Sequence, residues 1–330
     1  MNDQCIHCGI PFVLYEKGYL FIRHEQFVLP ALFQKHNDEW MKCPFRSVED
    51  LNNILDEIKI EKSNIKVGLN DKDEHPFLTY PLSSLYARVK EREIVEVIQH
   101  GELESYIQPI IELKKNQLYG YESLLRTGGS KSFSPLKLFQ AAEETGLLSL
   151  LDQRAREVAI KTRKSFVQDG VKSFINFLPS TIYNPDYCLR HTFNLVDKYQ
   201  INPNNLVFEV VETEKIEDID HLKDVLSTYK REGMKVALDD VGAGFSTLSM
   251  LELLSPDYVK IDRHYIDHCD QSDEKQEFLQ QVISLAKQLD IIVLAEGIER
   301  EEELAYCRRI GVDLAQGYFI GKPTNAAFTS

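Results

Sequence analysis

"KVALDDVGAGFSTLSMLELLSPDYVKID", residues 235–262, decides how the rest of the chain is read. An apolar run leaves Lys235 and ends in two adjacent carboxylates, Asp239 and Asp240, followed by Gly242 and Gly244. "STLSMLELL" then carries a helical pattern, and a second apolar run delivers Lys260 and Asp262. A strand, a turn, a helix and another strand form the repeating unit of a parallel sheet. Neighbours on a regular strand face opposite ways, so Asp239 and Asp240 reach one site only where the strand ends and glycines let the chain turn. The competing reading is a polar loop with an aspartate capping the next helix, a task Ser246 would serve equally well.

The same alternation extends on both sides. Strand candidates are "YIQPII" at Tyr106, "LYGYESLL" at Leu118, "SFINFL" at Ser173, "LVFEVV" at Leu206, "KVALDD" at Lys235, "YVKID" at Tyr258, "IIVLAEG" at Ile291 and "QGYFIG" at Gln316. Eight such runs over about 220 residues meet the requirement of a closed eight-stranded α/β barrel. Helical patterns lie between them, among them "SPLKLFQAAEETGLLSLLDQRAREVAIKTRKSF", with Ser134 and Pro135 at the cap and first turn. The first hundred residues differ, with aromatic-rich stretches and a helical "SVEDLNNILDEIKIE". They are expected to form a small accessory or regulatory domain over 1–95, joined to a barrel over 96–330 by a helix through "SSLYARVKEREIVEVIQHGE".

Composition narrows the function. The chain has 330 residues, and its formal charge of −14 with no lysine-rich stripe argues against a nucleic-acid polymer as partner. Six cysteines are too few for a disulfide scaffold, and the N-terminus lacks the plan of a secretory signal, so a reducing cytoplasm is expected. Apolar stretches such as "QFVLPALF" fall short of the roughly 20 residues of a membrane span.

Active sites of such barrels sit at the C-terminal ends of the strands. Read with that rule, the strand ends deliver Glu122, Asn176, Glu209 with Glu212, Asp239 with Asp240, Lys260 with Asp262, and Glu296. One acid at a strand end is commonplace. Many round one mouth repel and raise each other's pKa unless cations neutralise them. Oxygen donors without His or Cys suit Mg²⁺ or Mn²⁺ better than zinc. Two such ions are a device for phosphoester cleavage, with Arg126 holding a phosphate oxygen and Lys260 doing the same or orienting the attacking water. A glycoside hydrolase is the rival reading, since paired carboxylates in barrels also do that chemistry without metal.

These motifs also resemble a known family. "YESLLRT" at 121–127, "FINFLP", "FEVVE", "DDVGAGFSTL", "VKID", "AEGIE" and "QGYFIGKP" follow the order of the EAL family of cyclic di-GMP phosphodiesterases over about residues 100–325, with Ser123 where the family has alanine. The resemblance implies a barrel whose first strand is antiparallel, and hydrolysis of one phosphodiester of cyclic di-GMP to linear pGpG. It implies a first metal on Glu122, Asn176, Glu209 and Asp239, and a second on Asp239, Asp240 and Glu296, with Glu296 either ligand or general base. Glu122, Lys260, Glu296 and Glu212 carry the catalytic roles, Glu212 by steadying the loop after Asp240. Arg126, Gln108, Pro109, Leu125, Asp262, Glu299 and Gln316 match substrate-binding positions. The resemblance also implies a homodimer through the barrel and inhibition by Ca²⁺. Val241 and Ala243 stand where Phe and Thr are commoner, which bears on loop ordering. Some relatives bind without turnover, so the alternative function is a cyclic di-GMP receptor signalling through the N-terminal domain.

"CIHC" at Cys5 to Cys8, with Cys43 and His24 or His36, raises a structural zinc site, against the plainer reading of free thiols. The aromatic residues Phe12, Tyr15, Tyr19, Phe21, Phe27, Phe33 and Trp40 are expected to be core.

Overall fold

Strands apolar on both faces need cover on both faces, and eight of them here close into a barrel wrapped by helices. The computed structural model describes residues 12–23, 29–58, 65–129, 131–210, 218–242 and 248–325. Cys5, Cys8, His24, Phe27, Glu212, Ala243 and Ser246 lie outside the described residues. The chain divides into two compact units, Met1–Glu102 with Thr127–Leu151, and Leu103–Arg126 with Asp152–Ser330.

In the first unit, β1 (Gly18–Arg23), β2 (Gln34–Lys35), β3 (Trp40–Phe45), β4 (Lys66–Asn70) and β5 (Tyr80–Pro81) form an antiparallel sheet in the order β2-β3-β1-β4-β5. Helices α1 (Val48–Ile58), α2 (Leu82–Lys90), α3 (Arg92–Gln99) and α4 (Pro135–Thr145) belong to this unit. Phe12, Phe21, Phe33 and Trp40 are buried, as the aromatic pattern predicts, whereas Tyr15 and Tyr19 are half-buried. The single helix expected over 83–102 is instead two, because Glu91 leaves helical dihedrals at φ −98° and ψ 30°. The charged run Lys90–Glu93 has no apolar residue, so the buried face changes from Leu82, Leu85 and Val89 to Ile94, Val95 and Ile98. The long helix expected from Ser134 is also split. Ser134 does cap α4, accepting from Lys137 N, but Gly146 takes the left-handed conformation at φ 67° and α5 (Leu148–Phe166) starts afresh.

The second unit holds β6 (Leu103–Glu112), β7 (Gln117–Thr127), β8 (Lys172–Phe177), β9 (Leu206–Val210), β10 (Lys235–Val241), β11 (Tyr258–Ile261), β12 (Ile292–Ala295) and β13 (Leu314–Gln316), closed in the order β10-β11-β12-β13-β6-β7-β8-β9. Strand β6 runs antiparallel to β13, while β7 through β13 pair in parallel. Outside lie α6 (Pro185–Cys188), α7 (Arg190–Lys198), α8 (Ile219–Arg231), α9 (Leu248–Leu254), α10 (Arg263–Ile266), α11 (Asp273–Gln288) and α12 (Glu301–Ile310). The last strand is shorter and earlier than "QGYFIG" suggests. It stops at Gln316 because Gly317 lies so close to the Ile298 backbone that any Cβ there would collide with it.

Side-chain alternation then builds the interior in layers. Ile110, Phe174, Val207, Ala237, Tyr258, Leu294 and Leu314 pack as one apolar cluster inside the barrel. On the parallel strands, two residues further toward the C-terminal end and on the same face, come Asn176, Glu209, Asp239, Lys260, Glu296 and Gln316. The antiparallel β6 supplies its counterpart two residues earlier, at Gln108. An apolar floor thus carries a polar ceiling by the two-residue period alone. Outward-facing Ile175, Phe208, Val236, Val259 and Val293 join the larger core under the helices.

Candidate active site at the mouth of the barrel

Lys260 is the centre of that ceiling. Its side chain is 1% exposed, and Nζ lies 2.8 Å from Glu296 Oε1, 3.0 Å from Glu209 Oε1, 3.1 Å from Asp239 Oδ1 and 3.5 Å from Glu122 Oε1. Asp240 completes the group, since Asp239, Asp240 and Glu296 each offer an oxygen within 4.8 Å of the others. Five carboxylates therefore face one ammonium, an excess of four negative charges if all ionise. Two like charges about 4 Å apart repel by about 4 kcal/mol at an effective dielectric constant near 20, so the protein alone does not balance this site.

The strand end explains how two neighbouring aspartates reach one place. Pairing of β10 with β11 is irregular between Leu238 and Val241, and Asp240 itself takes a left-handed conformation at φ 51°. Asp240 N donates to Asp239 Oδ1 at 2.9 Å. The turn expected of the glycines thus begins on the second aspartate, with Gly242 at φ 109° following it. A Cβ on Gly242 would strike the Tyr265 ring, and one on Gly297 the side chain of Arg263, so α10 is seated directly beside both acid-bearing loops. No local sequence pattern marks Arg263 or Tyr265 as supports, since their role comes from distant pairs of residues.

Glu122 is held from two sides. Asn176 Nδ2 donates to its Oε1 at 3.2 Å, and Gln316 Nε2 to its Oε2 at 2.6 Å. Gln316 Nε2 also donates to Gln108 Oε1 at 3.0 Å, and Gln108 Nε2 to Gly321 O at 3.0 Å. Gln108 and Gln316, expected at substrate, thus form a buried amide chain that orients a carboxylate. Pro109 is buried beside Gln108, and Leu125 is half-buried with its carbonyl accepting from Arg126 Nη1 at 2.7 Å. The Arg126 guanidinium lies over the Tyr106 ring at 5.4 Å. Asp262 caps α10, accepting from His264 N at 2.8 Å, and exposed Glu299 pairs with Arg263 at 3.0 Å. These last residues stand at the rim and are not among the carboxylates round Lys260.

Glu209 is fully buried, yet neither carboxylate oxygen accepts a directed hydrogen bond; Lys260 is near Oε1 only at ion-pair distance. Buried acceptors are ordinarily satisfied, so these orphaned oxygens call for a cation. The all-oxygen donor set fits a hard divalent ion. Burial first, then the surrounding acids, pushes Glu209 and Glu296 well above the usual carboxylate range against the pull of Lys260. Asp239 is raised for the same first reason, and Asp240 is pushed up to about 6 by burial and then by Asp239. Burial pulls Lys260 down, but Asp239, Glu122, Glu209 and Glu296 outweigh it and hold the ammonium well above the ordinary lysine range.

A pH dependence follows for chelated protein. The native state holds protons on Asp240 that the unfolded chain releases nearer its ordinary 3.8, so stability falls as pH rises through that window to about 6. The thermal midpoint in chelator is expected to drop between about pH 4 and 7, and Mn²⁺ to restore it at the upper end. A midpoint rising across that range in chelator would contradict the repulsion described above.

Cys43 is buried on β3, and burial, with Asp50 and Glu57 behind it, pushes its thiol up to about 11. Among the described residues no group of His, Cys, Asp and Glu gathers round Cys43. A cavity of about 660 Å³ lies at the opposite end of the barrel beside Tyr119, Ile292 and Leu314. It is remote from the acids, and catalysis in this architecture belongs to the other end. Among the described residues no helix is long and apolar enough to cross a membrane.

The chain is similar to known proteins. The EAL domain profile matches residues 91–323. The probable cyclic di-GMP phosphodiesterase PdeG of Escherichia coli K12 is 34% identical over 245 residues, 71% of this chain and 47% of PdeG. A standalone versatile EAL protein from Vibrio cholerae O395, solved with c-di-GMP bound, is 31% identical, with a TM-score of 0.63 over 69% of this chain and 94% of that one. BlrP1 of Klebsiella pneumoniae, solved with manganese and cy-diGMP, matches 94% of this chain and 96% of its own at a TM-score of 0.62; its 22% identity speaks to the fold. The chain spans about half or less of the length of the first curated relatives it matches.

Proposed function

The chain belongs to the EAL domain family, and from that premise we propose that it hydrolyses one phosphodiester bond of cyclic di-GMP to linear pGpG with divalent metal ions. The observation that carries this reading is the buried acid ring with its orphaned Glu209 oxygens, a donor set short of positive charge where an anionic phosphate is to be received. Glu122, Asn176, Glu209 and Asp239 would hold one Mg²⁺ or Mn²⁺, and Asp239 with Asp240 and Glu296 a second. When bound, these cations supply electrophilic stabilisation of the charge that develops on the phosphate.

The chain's own groups do the rest. Gln316 and Asn176 fix both oxygens of Glu122, so this ligand is oriented before any ion arrives. Glu296, held by Lys260 and raised in pKa, is proposed to accept the proton of the attacking water as the alternative to ligating the second ion. Lys260 places a fixed positive charge among the acids where phosphate oxygens are to lie. Arg126, stacked on Tyr106 at the rim, is proposed to take a phosphate oxygen of the entering dinucleotide. We also propose a cytoplasmic location, pairing of two barrels and a regulatory role for the first 95 residues.

Purified protein incubated with cyclic di-GMP and Mn²⁺ is expected to yield pGpG by chromatography and mass spectrometry. Chelator should stop the reaction, and Ca²⁺ as sole cation should not support it. Tight binding with no product under Mg²⁺ or Mn²⁺ would instead identify a receptor, and full turnover in chelator would exclude the metal-dependent reading.

A further inference from the structure

We infer, on the metal-dependent reading above, that Asp152 is a positioning residue for the proposed metal site: from α5 it fixes the exit of β8 and so holds Asn176 against Glu122. The sheet alone gives Asn176 little support. The last register pair of β8 with β7 is Ile175 with Ser123, one residue before it. Among the described residues the last pair with β9 is Phe177 with Val210, one residue after it. The chain then enters a 3₁₀ turn over Pro179–Thr181, and proline has no N–H to anchor it. The first backbone donor past the ladder is therefore Leu178 N–H, two residues beyond Asn176.

Asp152 takes that donor. Its Oδ1 accepts from Leu178 N at 3.0 Å and its Oδ2 from the Thr181 hydroxyl at 2.8 Å, so one carboxylate spans the turn. Thr181 N donates to Leu178 O at 3.1 Å and closes the turn on itself. Arg156, one helical turn further along α5, brings Nη2 to 3.1 Å from Asp152 Oδ2 and supplies the counter-charge. Asp152 and Arg156 are 2% and 4% exposed, and Thr181 is buried beside them. Apolar groups of similar volume usually stabilise a core as well as a buried ion pair does, so stability alone does not call for charges here. What they order lies one step away. Register with β9 sets Asn176 beside Glu209, and Asn176 Nδ2 donates to Glu122 Oε1 at 3.2 Å, so three of the four proposed ligands of the first ion depend on where β8 ends. Ligand distances in a metal site tolerate only about 0.2 Å, so slack at the β8 exit is felt by the ion.

Two double variants of the full chain separate this role from plain stability. Asp152→Leu with Arg156→Met removes both charges and leaves Leu178 N–H without its acceptor. Asp152→Asn with Arg156→Met removes the same charges but keeps a side-chain oxygen for that N–H. Mn²⁺ binding is to be measured by calorimetry without nucleotide, on protein shown to be folded by circular dichroism, and amide exchange of the chelated proteins by mass spectrometry. The leucine pair is expected to bind Mn²⁺ about 10–100-fold more weakly than wild type, with faster exchange over residues 173–183, and the asparagine pair to recover most of both. Should the leucine pair fail to fold, Thr181→Val, which leaves the ion pair intact, should show a smaller loss of Mn²⁺ affinity in the same direction. Unchanged affinity in the folded leucine pair or, failing that, in Thr181→Val, or an equal loss in both double variants, overturns the inference while the metal reading stands. A wild type that binds no Mn²⁺ overturns the metal reading and this role together.

Discussion

Glu209→Gln is expected to lower kcat/KM on cyclic di-GMP by at least about 10³-fold, about 4 kcal/mol of transition-state stabilisation, while raising the thermal midpoint of the chelated protein. The opposite signs follow from one arrangement. Glu209 is fully buried, its oxygens accept no directed hydrogen bond, and its neighbours include three other acids near the same ammonium. Amide in place of carboxylate keeps the shape and removes a repelled charge, so the fold gains what the metal site loses. A merely structural glutamate would show the reverse, a lower midpoint with activity retained per folded molecule. Thermal unfolding in chelator beside steady-state kinetics in Mn²⁺ separates the two.

Lys260→Met tests the same electrostatics from the other side. Without the ammonium, Glu122, Glu209, Asp239 and Glu296 face each other with no fixed positive charge among them. Removing one partner from a buried ion cluster typically costs about 3–5 kcal/mol, so the chelated variant is expected to be destabilised by that order. Mn²⁺ should recover most of this loss, because a divalent ion can supply the missing charge. Catalysis should stay at least about 10²-fold low even with metal, since the charge proposed to meet the phosphate is gone. Denaturant unfolding with and without Mn²⁺ measures the first effect. Equal stability of variant and wild type in chelator would refute the view of Lys260 as the internal counter-ion.

Much of this site was legible in the chain because two simple periods govern it. The alternation of strands and helices announces the barrel, and acids at strand ends announce the mouth. Glu122, Asn176, Glu209, Asp239, Asp240, Lys260 and Glu296 do come together as the motifs predict. What escaped the sequence is contact across the barrel. Gln108 and Gln316 are 208 positions apart, and only closure of β6 against β13 lets one amide orient the other. Left-handed backbone is usually glycine's, which points to Gly242 and Gly244 for the turn, yet a strained Asp240 carries it first. The helix breaks at Glu91 and Gly146 have short local signals, a charged run over which the buried face shifts and one glycine in the left-handed conformation, and both sit inside stretches whose residues otherwise favour helix.

The apolar layer of Ile110, Phe174, Val207, Ala237, Tyr258, Leu294 and Leu314 makes the acid-lined mouth a cul-de-sac. With no rear exit, the product of the proposed reaction would have to retreat through the doorway by which fresh substrate arrives. Obstruction of the precursor by the cleaved molecule would then be governed by traffic at that doorway, whatever the speed of the proposed bond-breaking step.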